Sequence, residues 1–129
     1  MNAEELPSLL RGRRVLIVED QYLVAEEMRR AVIKLGGQVL GPVRAGDDAL
    51  RIAAADRPDL ALLDINLDGV MVYPMARELR RMKVPLIFTT GYDRSAVDAE
   101  FRDAPHLDKP VTPWSLAAAV SHARHGAKL

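Results

Sequence analysis

Acidic residues follow two apolar runs of this chain at the point where each run ends. The run 15–18 is followed by Glu19 and Asp20, and the run 60–63 is followed by Asp64. Short apolar runs bounded by turn residues are typical of strands that are covered on both faces of a parallel sheet. Ligands of such sheets bind just outside the carboxyl ends of the strands. If the two strands are neighbours, the three carboxylates therefore meet in one crevice.

Three carboxylates in a small space indicate a bound cation, because like charges otherwise raise the pKa of at least one of them. Magnesium takes oxygen ligands, keeps several waters and commonly binds one or two carboxylates together with phosphate oxygens. The sequence has neither a twelve-residue calcium loop nor a set of His and Cys ligands for zinc. We therefore predict a Mg2+ site that contains Glu19, Asp20 and Asp64.

A hydroxyl and a lysine lie at two further predicted strand ends. The run 85–88 leads into Thr90, and Lys109 precedes Pro110 at the end of a short strand. A carboxylate beside a metal attacks phosphorus when the metal and a fixed cation neutralise the transferred group. Lys109 is the candidate cation, and the proline after it suggests a constrained peptide that is cis in some proteins. The Thr90 hydroxyl and nearby backbone N–H groups would bind phosphoryl oxygens.

Strands and helices alternate along the chain, as the spacing of apolar residues and the intervening glycines and prolines indicate. We predict five strands, at about 13–19, 39–43, 60–64, 86–90 and 106–108. We predict five helices, within 24–35, 47–56, 74–82, 95–102 and 112–123. This alternation is typical of an α/β fold with a parallel sheet.

Two segments differ from the rest of this pattern. Gly41 and Pro42 weaken the second strand and suit an edge position in the sheet. The helix predicted at 95–102 has few apolar residues, so we expect it to be the least stable helix. The segment 66–69 has turn residues and is predicted to be a loop.

Several side chains are assigned to packing rather than to a site. Met75, Leu79 and Met82 lie at helical spacing, which is far more often a core stripe than a binding feature. Tyr22 and Trp114 are expected to be partly buried at the starts of two helices. We assign no chemistry to any of these five residues.

The overall composition is that of an ordinary soluble domain, with 49% hydrophobic and 28% charged residues. Eighteen basic residues balance eighteen acidic ones, so no net field favours nucleic acid or an anionic membrane. No segment has the length of a signal-peptide core or a membrane span, and we expect a cytoplasmic protein. The chain has no cysteine, which excludes thiolate chemistry. We expect a leader at 1–12, one domain at 13–125 and a tail at 126–129.

The motifs Glu19-Asp20, Asp64, Thr90-Gly91 and Lys109-Pro110, in this order at strand ends, resemble the receiver domain of bacterial two-component response regulators. The similarity covers about residues 13–124. It implies a flavodoxin-like fold, in which a five-stranded parallel sheet of order 2-1-3-4-5 is flanked by five helices, with the site where this order reverses. It also implies that Asp64 is the phosphoacceptor and that Thr90 and Lys109 hold the phosphoryl group.

The same resemblance implies the metal ligands and the switch. Asp20, Asp64 and the backbone carbonyl of Asn66 would bind Mg2+, and Glu19 would act through water. In the family, the threonine moves toward the phosphoryl group and an aromatic residue of the fifth strand rearranges. His106 occupies that aromatic position, so we assign the switch to Thr90 and His106, with a pH sensitivity that an imidazole would add.

Other positions depart from the family pattern or narrow it. Asp68 stands where many receivers have proline, and the approach to the third helix at 71–74 is unusual. The segment 88–92 resembles a Phe-Ala-Thr-Gly signature of a subgroup of stand-alone receivers, some of which pair with HWE-type histidine kinases. We therefore expect a stand-alone receiver.

The resulting hypothesis is a single-domain response regulator that is not a classical enzyme and catalyses only its own phosphorylation and dephosphorylation. A histidine kinase or a histidine phosphotransfer protein would phosphorylate Asp64 in a magnesium-dependent reaction. An unknown downstream protein would bind the face formed by the fourth helix, fifth strand and fifth helix. Two alternatives are a magnesium-dependent aspartyl-phosphate phosphatase, for which Asn66 replaces an expected aspartate, and a degenerate receiver that acts only by docking.

Overall fold

The computed structural model describes residues 6–91 and 97–126. The strands are β1 (Arg14–Val18), β2 (Gln38–Val43), β3 (Leu60–Asp64), β4 (Asn66–Leu67), β5 (Val70–Met71), β6 (Leu86–Thr90) and β7 (His106–Asp108). The helices are α1 (Tyr22–Lys34), α2 (Gly46–Asp56), α3 (Tyr73–Arg81) and α4 (Pro113–Gly126), with a short 3-10 helix at Ala99–Phe101. Within the described ranges, no helix is long and apolar enough to cross a bilayer.

Five of these strands form one parallel sheet, in the spatial order β2-β1-β3-β6-β7. Counted within this sheet, the order is 2-1-3-4-5, and β2 lies at an edge. The predicted α/β fold is confirmed. The order reverses between β1 and β3, so the carboxyl ends of these two strands open into the crevice where such folds bind ligands.

Side chains alternate between the two faces of the sheet, and this alternation divides the core. Leu16, Val18 and Leu63 pack on the face that α2 and α3 cover. Ile17 and Leu62, their neighbours along the strands, pack on the opposite face against α1 and α4. Both faces of β3 are buried over its whole length, which explains its uninterrupted apolar sequence.

The helix ends follow from local sequence. The chain leaves α1 at Gly36, whose φ of +87° is a conformation that favours glycine. At the start of α4, Thr112 and Ser115 cap each other, since each backbone N–H donates to the other residue's hydroxyl oxygen at 3.0 Å. Pro113 follows directly in the first turn, where a proline costs no hydrogen bond. Thr112 therefore caps the N-terminus of α4.

The loop predicted at 66–69 is instead a small antiparallel hairpin that β4 and β5 form after the main sheet. Asp68 and Gly69 are the two turn residues, with φ of 51° and 84°. An Asp-Gly pair favours this two-residue turn, so the signal is present in the sequence. The Asn66 side-chain oxygen accepts the N–H of Gly69 at 2.7 Å and braces the turn.

The predicted count of five flanking helices is wrong for the part of the chain that the structure describes, which has four α-helices. Of the helix predicted at 95–102, residues 95 and 96 lie outside the described ranges. The rest forms only the 3-10 helix, which Asp98 caps through the N–H of Glu100. Of residues 97–102, only Val97 and Phe101 are buried. Two buried side chains provide too little packing to stabilise a longer helix.

Three side chains that were expected to pack are exposed. Tyr22 is 80% exposed, and Trp114 and Met82 are also exposed. Each stands at a helix end or in the first turn of a helix. Conversely, Leu10 of the predicted leader is buried, and its N–H donates to the carbonyl of Leu35. Residues 6–12 therefore close the end of the core below α1.

Candidate functional site

Three carboxylates come together at the carboxyl ends of β1 and β3. The register pairs Val18 with Leu63, so the residues that follow, Glu19 and Asp64, are neighbours. One oxygen each of Glu19, Asp20 and Asp64 lie within 4.8 Å of one another. Glu19 and Asp64 are buried and Asp20 is half-buried. The crevice predicted from the strand ends is thus present and is acidic.

Lys109 reaches into this cluster from the end of β7. Its Nζ lies 2.9 Å from Oε1 of Glu19 and 3.1 Å from Oδ2 of Asp64. Its backbone N–H donates to the carbonyl of Thr90 at 3.1 Å, and its peptide bond to Pro110 is cis. The ammonium group therefore stands between the two buried carboxylates.

The second oxygens of the carboxylates accept backbone N–H groups. Oε2 of Glu19 accepts the N–H of Gln21 at 3.1 Å, and Oδ1 of Asp64 accepts the N–H of Asn66 at 3.3 Å. Both carboxylates are thereby held in fixed orientations by the loops that follow their own strands. Asn66, whose backbone carbonyl is predicted to bind metal, follows Asp64 by two residues and is the first residue of β4.

Burial changes the acid–base properties of the cluster. Desolvation raises the pKa of Glu19 to about 7, although hydrogen bonds from Lys109 and Gln21 lower it, and the charge of Asp64 adds to the increase. Burial alone would lower the pKa of Lys109, but the hydrogen bond to Glu19 and the charge of Asp64 raise it above its ordinary value. Lys109 is therefore cationic at neutral pH, and Glu19 keeps its proton to a higher pH than an exposed glutamate does.

This shift predicts a pH-dependent contribution of Glu19 to stability. The folded state binds the proton more tightly than the unfolded state between the ordinary pKa of 4.5 and the folded value of about 7, so the free energy of unfolding falls as pH rises through this window. The difference amounts to roughly 3 kcal/mol when the window has been crossed. Denaturant unfolding of the wild type and of Glu19→Gln, across this pH range without metal, measures it.

Glu19→Gln should gain stability relative to the wild type as pH rises, because the amide has no proton to lose. Glu27→Gln makes the same substitution on α1, outside the cluster, and serves as the control. A difference between wild type and Glu19→Gln that stays constant across the window would contradict the raised pKa.

The structure places the two predicted switch residues in different surroundings. Thr90 is buried at the end of β6, and its strand partner in the register is Asp108. His106 pairs with Phe88 two residues earlier and lies outside the carboxylate cluster. Its ring stacks on that of Phe88, with centroids 5.3 Å apart.

His106 is the first member of a row of contacting aromatic rings. The sequence pattern does not predict these contacts. Phe88 contacts Phe101 edge to face at 5.4 Å, and Phe101 stacks on Tyr73 of α3 at 5.5 Å. Arg80 lies over the same Phe101 ring, 4.6 Å from its centroid. No sequence periodicity joins these residues, because they come from four separate elements.

Polar contacts also attach the 3-10 segment to α3. The N–H of Asp98 donates to the Tyr73 hydroxyl at 3.1 Å. Arg77 donates to Glu100 at 2.8 Å, and Arg80 lies 3.5 Å from Asp103. The described part of the connection from β6 to β7 is therefore held by one helix.

The Tyr73 hydroxyl is expected to stabilise this segment. Tyr73→Phe keeps the ring but removes the acceptor of the Asp98 N–H, so it should reduce the free energy of unfolding by about 1 kcal/mol. Chemical denaturation monitored by circular dichroism measures the change. Tyr22→Phe, on the exposed tyrosine of α1, is the matched control. Equal effects of the two substitutions would show that the hydrogen bond contributes nothing.

The donor set suits magnesium. All side-chain donors of the cluster are carboxylate oxygens, which hard divalent cations prefer, and one of the three residues, Asp20, is open to solvent that can supply water ligands. The nearby ammonium of Lys109 does not use Asp20 as an ion-pair partner within the described residues. The residues present therefore fit a small, partly hydrated cation.

Comparison with known proteins decides the family. The profile of the response regulator receiver domain matches residues 15–121. The chain belongs to this family. Receiver domains are signalling phosphoacceptors rather than classical enzymes, they bind Mg2+ through acidic residues, and they interact with kinases and downstream partners.

Several relatives resemble this receiver domain over most of its length. The phyllosphere-induced regulator PhyR of Methylorubrum extorquens is 34% identical, over 84% of this chain and 42% of its own. The positive alginate biosynthesis regulatory protein of Pseudomonas aeruginosa is 36% identical, over 84% of this chain and 46% of its own. The receiver domain thus spans about half the length of these curated relatives.

Solved structures show the same fold. The solution structure of SdrG from Sphingomonas melonis Fr1 has a TM-score of 0.76 at 34% identity, and the alignment covers 94% of this chain and 97% of SdrG. SdrG in a BeF3-activated conformation matches with a TM-score of 0.74 at 33% identity, over 84% of this chain and 92% of that one. The receiver fold and its place in two-component signalling are therefore confirmed for this chain.

Proposed function

We propose that this receiver domain accepts a phosphoryl group on Asp64 from a histidine kinase or a histidine phosphotransfer protein, and thereby switches a partner-binding surface. One observation carries the proposal: the Lys109 ammonium stands 3.1 Å from the carboxylate of Asp64, beside two further acidic side chains. This arrangement offers a nucleophilic oxygen and a fixed cation for the transferred group.

In the transfer, an oxygen of Asp64 forms a bond to phosphorus as the bond from phosphorus to the donor nitrogen of phosphohistidine breaks. The leaving imidazole keeps the electron pair and is protonated from solvent. Lys109 shifts from the carboxylate to a phosphoryl oxygen, a small movement from its position between Glu19 and Asp64. Water later attacks phosphorus in the acyl phosphate, and the bond from phosphorus to the Asp64 oxygen breaks, which releases inorganic phosphate and returns Asp64 to a carboxylate.

Asp20, Asp64 and the backbone carbonyl of Asn66 would hold Mg2+, with Glu19 bound through water. The bound cation supplies positive charge that offsets the repulsion between Asp64 and the incoming phosphoryl oxygens. Deprotonation of Glu19, whose pKa is about 7, prepares this acidic cluster for a cation as pH rises. The backbone N–H of Asn66 keeps the Asp64 side chain oriented.

The output would begin at Thr90, whose hydroxyl turns toward the phosphoryl group. The described part of the connection to β7, His106 and α4 form the surface that would then change, and an unidentified downstream protein would bind it. SdrG has a conformation described as BeF3-activated, which supports an activated state in a protein similar to this one. His106 would respond through its stacking on Phe88.

Intact mass spectrometry after incubation with acetyl phosphate tests the proposal. With magnesium chloride, the full chain should gain one phosphoryl group, and peptide mapping should place it on Asp64. Chelation of the metal with EDTA should prevent the gain. A folded chain that binds Mg2+ but gains no mass, either from acetyl phosphate or from a phosphorylated histidine phosphotransfer protein, would identify a receiver that acts only by docking.

A further inference from the structure

The β4–β5 hairpin and α3 enclose a groove that the proposed phosphorylation chemistry does not use. The groove has a volume of about 490 Å³, within the range of ligand pockets. We call it the hairpin groove. Its lining comes from the start of α2, the hairpin and the first turns of α3, and consists of Ala45, Gly46, Asp47, Leu50, Leu67, Val70, Met71, Val72, Pro74, Met75 and Glu78.

Apolar side chains of the hairpin groove are open to solvent. Val70 is 67% exposed and the adjacent Met71 is also exposed. Leu67, the residue that pairs with Val70 across the hairpin, is buried. Two exposed apolar neighbours beside a concave apolar wall differ from the single exposed residues that every surface has. Met71 and Met75 give the walls flexible side chains that adapt to an inserted group.

The charges of the hairpin groove select the occupant. Its two charged lining residues, Asp47 and Glu78, are both acidic. Glu78 is paired with Arg81, whereas Asp47 stands exposed in the first turn of α2. A second, smaller depression shares Ala45, Gly46, Leu67 and Val70 with the groove and adds Asp20, Arg44 and the exposed Asp68 at the turn. Around the apolar floor, the exposed carboxylates of Asp47 and Asp68 therefore outnumber the one basic lining residue, Arg44.

The hairpin also joins the groove to the carboxylate cluster. Asn66, the first residue of β4, donates its N–H to Asp64, and its partner in the register is Met71. The turn that Asn66 braces carries Asp68. A change in the orientation of Asn66 would therefore move Met71, its partner in the hairpin, which lines the groove.

We propose that the hairpin groove docks a segment of a partner protein that inserts a large apolar side chain and carries lysine or arginine beside it. The apolar floor accounts for the inserted side chain, and Asp47 and Asp68 account for the basic neighbours. This surface is separate from the face of β7 and α4 to which the proposed output is assigned. A partner could therefore occupy the hairpin groove while that face is bound.

A displayed library of random linear peptides, panned on the unphosphorylated full chain, tests this docking site. Counter-selection on Val70→Lys removes peptides that bind elsewhere on the chain. The substitution replaces an exposed apolar side chain of the groove with a longer, positively charged one. The recovered sequences should share a large apolar residue flanked by lysine or arginine. Since no phosphoryl group is involved, the outcome is separate from that of the acetyl phosphate experiment.

Fluorescence anisotropy with one recovered peptide gives the quantitative result. Val70→Lys should weaken binding about tenfold or more, as expected for loss of a central apolar contact. Asp47→Asn should weaken it a few-fold, and more at low salt than at high salt. Leu23→Lys, on an apolar side chain of α1 that is 74% exposed, is the matched control and should leave affinity within about twofold.

Three outcomes would overturn the docking site. The library could yield no peptide that distinguishes wild type from Val70→Lys, or it could yield acidic rather than basic sequences. Equal weakening by Leu23→Lys and Val70→Lys would show a non-specific apolar effect. Concentration-dependent dimerisation in sedimentation velocity that Val70→Lys abolishes would assign the groove to a second copy of this chain instead.

Discussion

Asp64→Asn is expected to take up no phosphoryl group from acetyl phosphate, whereas the wild type takes up one in the presence of magnesium. The amide has nearly the shape of the carboxylate but lacks a nucleophilic oxygen, so no acyl phosphate can form. The substitution also removes one negative charge from a cluster in which three carboxylates lie within 4.8 Å. The variant should therefore fold at least as stably as the wild type.

Asp68→Asn is the matched control for this experiment. It makes the same chemical change four residues later, at the exposed turn of the hairpin, and should leave the phosphorylation rate close to that of the wild type. Intact mass and thermal melting of the two variants and the wild type give both readouts. Phosphoryl incorporation by Asp64→Asn at the wild-type rate would assign the nucleophile to another residue and refute the proposed site.

Lys109→Gln is expected to slow phosphorylation by about 10²- to 10³-fold, the usual effect of removing one preorganised group that stabilises developing charge. The loss should appear with acetyl phosphate and with a phosphohistidine donor alike, because the ammonium group acts on the transferred group rather than on the donor. Binding of Mg2+ should persist, since Lys109 is not among the expected ligands. The rate measured by quenched mass spectrometry tests this prediction.

The same substitution should also change the pKa of Glu19. The hydrogen bond from Lys109 lowers the pKa of Glu19, so its removal should raise that pKa further and leave Glu19 protonated at neutral pH. The free energy of unfolding is then compared between Glu19→Gln and the double variant Lys109→Gln/Glu19→Gln. Because neither variant has the Glu19 carboxylate, the difference reports on the ion pair between Lys109 and Asp64. Lys34→Gln, at the exposed end of α1, is the control. Unchanged phosphorylation in Lys109→Gln would exclude the lysine from the transfer.

Much of the fold could be predicted because its signals are local. The apolar run that forms β3 is continuous since both faces of the strand are buried, and Gly36 ends α1 because its positive φ suits glycine. The same strand ends place Glu19 and Asp64 at one edge of the sheet. Their roles in phosphoryl transfer stay predictions that the experiments above test.

Other features depended on what packs across the molecule. Tyr22 resembles any aromatic residue at a helix start, and only the absence of a covering element among the described residues explains its exposure. Leu10 lies in a stretch without periodicity, yet the end of α1 buries it. The hairpin at Asp68 and Gly69 is a different case, because the Asp-Gly turn signal is local and is readable in the sequence.

By itself, the sequence determined the order of the five strands of the main sheet and of the four α-helices, the acidic ends of β1 and β3, and the lysine that precedes Pro110. Periodicity and turn residues act over a few neighbouring positions, so these features are readable locally. Only the tertiary structure decided that Lys109 stands between Glu19 and Asp64, that Tyr73 and Phe101 join His106 in one aromatic row, and that Val70 borders an open groove. These contacts connect residues far apart in the chain, and their distances follow from the packing of whole elements rather than from any local pattern.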